Sequence, residues 1–305
     1  MSDVREIRRH IESVQDTEKV TNAMYMIAAT RMQKAKQRLD ATRPFFEAMR
    51  REIKRVFRVG GDIESVYLYP EGEVDLPGDY GYLVITSDKG LAGSFNQSVL
   101  KEAKRHIETH SGKVYMMGEY GRRAFTSQGI PFEKSFTLSN TEPSLKMARK
   151  LAKMLLNAYL SKEISKIYIV YTDMKSGISQ TAYSLRLLPF HRDDWKPDEP
   201  EKEITTPFVF YPSMEEVLNA SVESYLTGII YSCLVDSYCS EQSARMNAMD
   251  EANTNADKLL MGLRTQYNHA RQAKITKEIT EISSGAKALK KKKVDKERRI
   301  RNNER

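Results

Sequence analysis

The stretch that decides the fold runs from Ser213 to Leu289 and reads SMEEVLNASVESYLTGIIYSCLVDSYCSEQSARMNAMDEANTNADKLLMGLRTQYNHARQAKITKEITEISSGAKAL. It contains no proline, and its only glycines are Gly228, Gly262 and Gly285. Few breakers over such a length predict one continuous helix or two nearly coaxial pieces. Such a helix projects beyond any compact domain, so it needs a partner to cover its apolar side. The other long stretch with few breakers, Val4 to Val59, is the candidate partner.

The two long segments share a heptad-like spacing of apolar and small side chains. In the first, spacings of four and three give Ile7, Ile11, Val14, Glu18, Thr21, Tyr25, Ala28, Met32, Ala35 and Leu39. In the second, they give Met246, Met249, Asn253, Ala256, Leu260, Leu263, Tyr267 and Ala270. This period is that of a coiled-coil seam, so the sequence predicts a long antiparallel coiled coil of N- and C-terminal helices. We expect a kink or a helix restart at Pro44 and a helix end at Gly60-Gly61.

Between the long segments, short apolar runs alternate with helical stretches. The predicted strands are Val66–Tyr69, Tyr80–Thr86, Val114–Met117, Ile167–Tyr171 and Thr181–Leu188. The predicted helices are Phe95–His110, Tyr120–Gln128 and Pro143–Ser161. This alternation predicts an inserted, Rossmann-like α/β domain with a largely parallel sheet. The predicted order is an N-terminal coiled-coil helix (1–60), the inserted domain (61–190), a linker (191–212), a C-terminal coiled-coil helix (213–289) and a basic tail (290–305).

Composition and charge exclude several classes of protein. No window approaches 18 consecutive apolar residues, so we expect no membrane-spanning helix. The charged N-terminus has no apolar h-region, which predicts a cytosolic chain of bacterial style. The formal charge of +8 arises from Arg31–Arg58 and Ala286–Arg305, each with ten Lys/Arg against three Asp/Glu. Cys233 and Cys239 lie too far apart on a helix to form a disulfide, so we expect two packing residues in a reducing compartment.

No pattern typical of a catalytic, metal or cofactor site emerges. Thr86–Ser94 follows a strand and precedes a helix, where phosphate loops lie, but it fits neither common nucleotide-binding fingerprint. We interpret it as a tight turn. His106 and His110 share a helix face without a third ligand, so we expect a solvated face there. The lysine-rich tail lacks groove-reading residues, and we expect it to stay mobile or to form a frayed helical extension.

The most informative segment is Ile275–Ala288, with the sequence ITKEITEISSGAKA. It resembles the signature of the gamma subunits of F-type ATP synthases. Further stretches agree with that family: Glu6–Arg8, Thr17–Met24, Thr42–Pro44, Ser87–Gly93 and Ser240–Met249. The resemblance covers about residues 3 to 289. The chain departs from the family at Ala92, where many members carry cysteine, in lacking the dithiol segment of chloroplast members, and in its basic tail.

The resemblance implies a rotor shaft that catalyses nothing by itself and holds no cofactor or metal. Its coiled coil would turn inside a hexamer of alternating alpha and beta subunits. Its foot would rest on the ring of c subunits and bind epsilon. Rotation of that ring, driven by ion flow, would turn the shaft and change the nucleotide affinities of the beta sites. The subunit would lie at the bacterial cell membrane, peripheral on the cytoplasmic side, reaching the membrane only through the complex and binding no nucleic acid.

Position by position, the resemblance also implies contact residues. Those for the alpha and beta subunits are Lys19, Met24, Arg245, Arg271, Gln272, Thr276 and Glu278, and those for the c ring are Phe210 and Tyr211. Met24 would face the acidic moving loop of beta, with Arg245 opposite on the C-terminal helix. Arg271 and Gln272 would form a polar catch with another beta loop.

Two other functions stay open at this point. One is a stand-alone coiled-coil module that binds nucleic acid through its basic segments, which gel filtration with alpha and beta subunits would test. The other is a nucleotide-binding α/β enzyme, which requires that the isolated chain bind ATP.

Overall fold

A computed structural model describes residues 4–59, 65–69, 78–139, 142–176, 179–191 and 209–303. The elements in chain order are α1 (Val4–Val59), β1 (Tyr80–Ile85), α2 (Phe95–Thr109), β2 (Gly112–Met117), α3 (Glu119–Ser127), α4 (Leu145–Leu160), β3 (Lys166–Ser176), β4 (Ser179–Leu188) and α5 (Met214–Asn303). Both long helices and the α/β pattern between them are therefore confirmed. None of the helices in these ranges has an apolar stretch long enough to cross a bilayer.

The chain forms two compact units, each described by itself. One unit holds the residues up to Ala23 and those from Asp250 onward, and the other holds Met24–Met249. The sheet and its helices thus share the second unit with the middle of α1 and the first part of α5.

The sheet has the strand order β2-β1-β3-β4. Strand β1 pairs in parallel with β2 and β3, and β4 closes the edge antiparallel to β3. This arrangement confirms the prediction of a largely parallel sheet. Alternate side chains of β1 point to opposite faces. Tyr82 and Val84 pack with α2 and α3 in one core, and Leu83 and Ile85 belong to the other core, on the opposite face.

The opposite face of the sheet packs against α4 and the two long helices. Its core combines α4 with Ile53 and Val56 of α1 and with a long run of α5 from Leu218 to Cys239. Close approach of α1 and α5 depends on Gly228, where an added Cβ would lie 2.2 Å from Phe46 Cδ1. Within this unit the helices run antiparallel, because Met32 contacts Cys239 while Phe46, later in α1, contacts the earlier Gly228.

The predicted seam positions are all buried or half-buried in both helices. In the unit that contains both chain ends, Ile7, Leu260 and Leu263 are buried, and the Thr21 hydroxyl bonds to the side-chain oxygen of Asn253. The middle of the seam is polar, as the sequence indicates. The spacing of four and three thus identifies the inward faces correctly.

Of the two alternatives expected at Pro44, a kink or a helix restart, the restart is wrong, because α1 continues through that residue to Val59; the kink stays a prediction. A proline inside a helix removes one hydrogen bond and costs about 3 kcal/mol. The packing of Phe46 against Gly228 and Tyr231 holds this part of α1 on α5. Tertiary contact therefore outweighs the local preference.

The predicted strand Val66–Tyr69 is also wrong, because the structure has only a single bridge between Leu68 and Phe190. A turn closes just before it, where the Leu68 amide donates to the Ser65 carbonyl at 3.0 Å. Burial of Tyr67, Leu68 and Tyr69 accounts for the apolar pattern that suggested a strand.

Smaller predictions hold at the start of α5 and at the cysteines. Ser213 caps the start of α5 by accepting from the Glu216 amide at 3.1 Å. The predicted end of α1 at Gly60-Gly61 lies outside the described residues. Cys233 and Cys239 are free and buried. Most of the predicted linker, residues 192–208, lies outside the described residues, and the tail is helical as far as Asn303.

Candidate functional site

The glycine loop after β1 packs directly on α5. Ala92 and Phe95 form a small core with Ala244 of α5. Two of the stretches that carry the family resemblance, Ser87–Gly93 and Ser240–Met249, therefore meet in the folded chain. A little further along the sheet edge, the Ser240 hydroxyl approaches the carbonyl of Thr172, which follows the parallel part of β3, at 3.5 Å. Helix α5 thus covers the edge at which open α/β sheets usually bind ligands.

The polar groups of the glycine loop are used inside the chain. The Ser87 amide donates to Asn96 Oδ1 at 2.9 Å, and the Ser87 hydroxyl donates to the Lys89 carbonyl at 2.6 Å. Asp88 accepts from the Glu119 amide at 3.1 Å, so a carboxylate of this chain sits at the start of α3. These bonds occupy donors that a phosphate would need. They support the interpretation of Thr86–Ser94 as a structural turn.

Arg245 fixes the glycine loop to α5. The residue is only 9% exposed; its guanidinium pairs with Glu241 Oε1 at 2.8 Å and donates to the Gly90 carbonyl at 3.3 Å. Burial raises the pKa of Glu241, and the charge of Arg245 opposes that rise. The pair is therefore a buried, hydrogen-bonded link whose removal on one side leaves an uncompensated charge.

Met24 and Arg245 line the same cavity, which has a volume of about 580 Å³. The charged residues of its wall are Arg31, Lys34, Lys89, Arg245, Asp88, Glu142 and Glu241. Arg31 and Lys34 follow Met24 at helical spacing on α1, and Lys89 belongs to the glycine loop. The wall that includes the half-buried Met24 side chain thus carries four cations and three carboxylates. The structure brings these predicted residues together, although the sequence did not identify Lys89 as their neighbour.

The remaining predicted alpha and beta contacts belong to the unit that contains both chain ends. Lys19 is exposed and pairs with Asp16 at 3.0 Å on the same helix. Every residue from Arg271 to Lys292 is exposed, which includes the predicted contacts Arg271, Gln272, Thr276 and Glu278. Glu278 lies 3.8 Å from Lys274, an exposed pair worth less than about 1 kcal/mol. The described residues provide no cover for this part of α5.

An exposed stripe of large apolar side chains accompanies these polar residues. We call Ile275, Ile279, Ile282 and Leu289 the isoleucine stripe. Their side chains are 47%, 61%, 73% and 71% exposed. The positions follow heptad-type spacing, so they lie along one side of the helix. This surface was not among the predicted features, although the spacing of the isoleucines in the sequence indicates it.

The predicted c-ring contacts, Phe210 and Tyr211, differ in exposure. Phe210 packs against the core beneath the sheet, and Tyr211 is 90% exposed. Val209 beside them is 92% exposed, so two apolar side chains project next to the start of α5.

The prediction of a solvated histidine face on α2 is wrong. His106 and His110 cover an aromatic row on the sheet, with ring centroids 5.4 Å from Tyr168 and 4.7 Å from Tyr80. Burial lowers the pKa of His106. The two histidines face the sheet because that side of α2 carries its core residues. Spacing between histidines alone does not reveal what they cover.

Ser184 lies 2.6 Å from His106 Nε2, a pairing that the sequence did not indicate. The third member, Glu102, accepts from the same Ser184 hydroxyl at 2.9 Å and approaches Nε2 rather than the far ring nitrogen. A catalytic triad needs the carboxylate on the other imidazole nitrogen, where it orients the ring. This group therefore lacks that relay and joins β4 to α2.

Comparison with known proteins gives one consistent result. A family model described as ATP synthase matches residues 3–289. The ATP synthase gamma chain of Caldanaerobacter subterraneus subsp. tengcongensis is 37% identical over 92% of this chain and 98% of its own length. That of Acetivibrio thermocellus is 33% identical over 95% of this chain and all of its own length, 100%.

Solved structures agree with these sequence relatives. A central stalk and c-ring structure of the mitochondrial ATP synthase of Tetrahymena thermophila matches with a TM-score of 0.54 at 25% identity, over 76% of this chain and 99% of that chain. An OSCP/F1/c-ring structure of the Euglena gracilis enzyme matches with a TM-score of 0.63 at 15% identity, over 94% of each chain, and shows the fold alone.

Proposed function

We propose how this chain works from the premise that it belongs to the ATP synthase gamma chain family. It is the central rotor shaft of an F1Fo ATP synthase. It couples ion flow through the membrane c ring to ATP synthesis or hydrolysis at the beta subunits of the alpha–beta hexamer. We propose that it consists of two coiled-coil helices, an inserted domain, a linker and a basic tail.

The observation that carries the proposal is that every residue of α5 from Arg271 to Lys292 is exposed. A helix usually needs a partner for an apolar face of this kind, and the isoleucine stripe has none among the described residues. A sleeve made by the alpha and beta subunits would cover the stripe. Arg271 and Gln272 would form the polar catch with a beta loop, with Thr276 and Glu278 close by.

The cavity beside Met24 is proposed as the contact with the acidic moving loop of beta. Arg31, Lys34 and Lys89 line it, and they match an acidic partner in charge. Arg245 contributes from α5 mainly by holding the glycine loop in place, since this buried residue already bonds to Glu241 and to the Gly90 carbonyl. Lys19, an exposed cation of the unit that contains both chain ends, is proposed as a further contact with the alpha and beta subunits.

The chain itself is proposed to be non-catalytic. Two observations support this. Side chains of α5 cover the strand ends where a ligand would bind, and the donors of the glycine loop already bond to other groups of the chain. Phe210 and Tyr211 would touch the c ring, and epsilon would bind near the same foot. Association with the membrane would then be peripheral, on the cytoplasmic side, and made only through the complex.

Co-expression with alpha and beta subunits tests this function. We expect a stable complex that contains this chain and shows ATPase activity that depends on it, while calorimetry of the isolated chain detects no micromolar ATP binding. An unrelated coiled-coil protein of similar length serves as the control. Failure of the chain to enter the complex, or ATP hydrolysis by the chain alone, would contradict the proposal.

A further inference from the structure

A second cavity, of about 690 Å³, lies within the unit Met24–Met249. It is bounded by α1 around Arg43–Arg50, by the β3–β4 hairpin and by α5 from Tyr225 to Asp236. We call it the hairpin cavity. Its volume falls in the range of about 300–1,000 Å³ typical of small-molecule sites. Neither the shaft function nor the contact residues proposed above use it.

The interior of the hairpin cavity is largely aromatic and aliphatic. Its apolar lining comprises Phe46, Tyr168, Tyr171, Leu185, Leu187, Phe190, Tyr225 and Ile229. Phe46, Tyr171, Tyr225 and Ile229 are only half-buried, so their surfaces remain open to a ligand. Phe190 is held at its edge by Tyr225, with ring centroids 5.8 Å apart. Side chains fixed in this way form a wall that exists before a ligand binds.

The rest of the lining includes three arginines and two acidic residues. Arg43, Arg50 and Arg186 face two acidic residues, Glu47 and Asp236. Arg43, Glu47 and Arg50 follow one another at spacings of four and three, so they share one face of α1.

The arginines differ in the partners they already have. Arg43 lies 3.9 Å from Asp40, and its charge also acts on Asp236. Arg186 lies over the Tyr69 ring at 5.8 Å. Arg50 is exposed and makes no ion pair with the described residues. Its guanidinium is therefore the cation of this wall best placed to take a new anion.

We propose that the hairpin cavity binds a small amphipathic monoanion, such as a medium-chain carboxylic acid. The apolar body would lie against Phe46, Tyr225 and Ile229, and the carboxylate would pair with Arg50 at the rim. A guanidinium matches a carboxylate in a two-point hydrogen-bonded geometry that an uncharged alcohol cannot reproduce. Asp236, which is less exposed than Arg50, disfavours the opposite orientation, in which the anion would lie beside a carboxylate.

Calorimetry with dodecanoate on the full-length chain tests the assignment. We expect saturable 1:1 binding, at least fivefold weaker binding of dodecanol, and a loss of about tenfold in dodecanoate affinity in Arg50→Gln. Arg51→Gln is the matched control, because Arg51 is exposed on the next residue of α1 but does not line the cavity. The Arg51→Gln chain should bind dodecanoate with the same affinity as the parent chain.

A second variant removes the space rather than the charge. Ser232→Phe places a ring in the lining from α5, and it should abolish dodecanoate binding while circular dichroism shows a folded chain. If this variant fails to fold, the Arg50→Gln and Arg51→Gln pair decides. Absence of binding, equal affinity for dodecanol, or equal losses in both arginine variants would overturn the proposal. None of these results depends on assembly with other subunits, so the shaft function is tested separately.

Discussion

Helix α5 contains two regions with opposite environments. From Ser224 to Arg245, every side chain is buried or half-buried among residues of the same chain. From Arg271 to Lys292, every side chain is exposed, although isoleucines recur at regular spacing. One continuous helix is therefore packed by its own chain in one region and left uncovered in the other.

The difference separates intrinsic stability from assembly. Side chains in the first region contribute to the free energy of folding of the isolated chain. Side chains in the second contribute little until a partner covers them, because exposed apolar surface gains nothing from being on a helix. Substitutions in the two regions should consequently affect different measurements.

The largest expected effect is the difference in free energy of unfolding between Leu234→Ala and Ile282→Ala. Leu234 is fully buried, so truncation should lower the free energy of unfolding of the free chain by about 2–5 kcal/mol. Ile282 is 73% exposed, so the same truncation should change that stability by less than about 0.5 kcal/mol. Urea unfolding of the two variants measures this. Ile282→Ala should instead weaken assembly with alpha and beta subunits, and equal destabilisation of the free chain would refute the contrast.

Glycine-to-alanine substitutions should have opposite signs along α5. At Gly228 the new Cβ would lie 2.2 Å from Phe46, and overpacking of this kind costs about 1–3 kcal/mol. At Gly262 nothing lies within 4 Å of the new Cβ, so the gain in helix propensity should stabilise the chain by about 0.5–1 kcal/mol. Thermal unfolding followed by circular dichroism measures both shifts. A stabilised Gly228→Ala chain would show that α1 and α5 are less closely packed than described.

A pH effect should appear in the buried region. Burial, reinforced by Asp173, raises the pKa of Asp236 to about 6. Since the folded-state pKa lies above the ordinary value of 3.8, the folded chain binds this proton more tightly than the unfolded chain. This group therefore lowers stability as the pH rises from about 4 to 6.

Replacing Asp236 by Asn should remove that loss and stabilise the chain at neutral pH by roughly 1–3 kcal/mol relative to the parent. Urea midpoints at pH 4.5 and 7.5 give the measurement, with the exposed Asp250→Asn as the control. A parent-like pH dependence in Asp236→Asn would mean that another group is responsible.

The last of these predictions concerns Met24. Met24→Lys would add a flexible cation beside the proposed acidic loop of beta, and one added charged contact of about 1 kcal/mol or more would resist sliding. We expect ATP hydrolysis to survive while ion pumping falls further, with Met24→Leu close to the parent. Equal losses of hydrolysis and pumping would contradict the placement.

The sequence predicted the elements well where periodicity and breakers agree. The heptad spacing identified the inward faces of α1 and α5. The helix restart, one of the two alternatives at Pro44, was wrong, because local backbone preference carries no information about the Phe46–Gly228 contact. The strand prediction at Val66–Tyr69 was wrong, because buried residues that form only a single bridge have the same apolar pattern as a strand.

The candidate site was less accessible to sequence reasoning. Met24 and Arg245 were assigned through family resemblance, and their common cavity depends on the glycine loop that packs between distant parts of the chain. The environment of His106 depends on tyrosines of two strands, which no local pattern connects. Most features of the site that could not be predicted from the sequence therefore depend on contacts between residues far apart in the chain.

Hydrogen–deuterium exchange of the chain, free and assembled with alpha and beta subunits, tests the central claim most directly. The shaft function predicts that the amides from Ser224 to Arg245 are protected in both states. It predicts that those from Arg271 to Lys292 exchange rapidly in the free chain and become strongly protected on assembly. Unchanged, rapid exchange of the Arg271–Lys292 region in the assembled complex would contradict the claim that this region turns inside a sleeve.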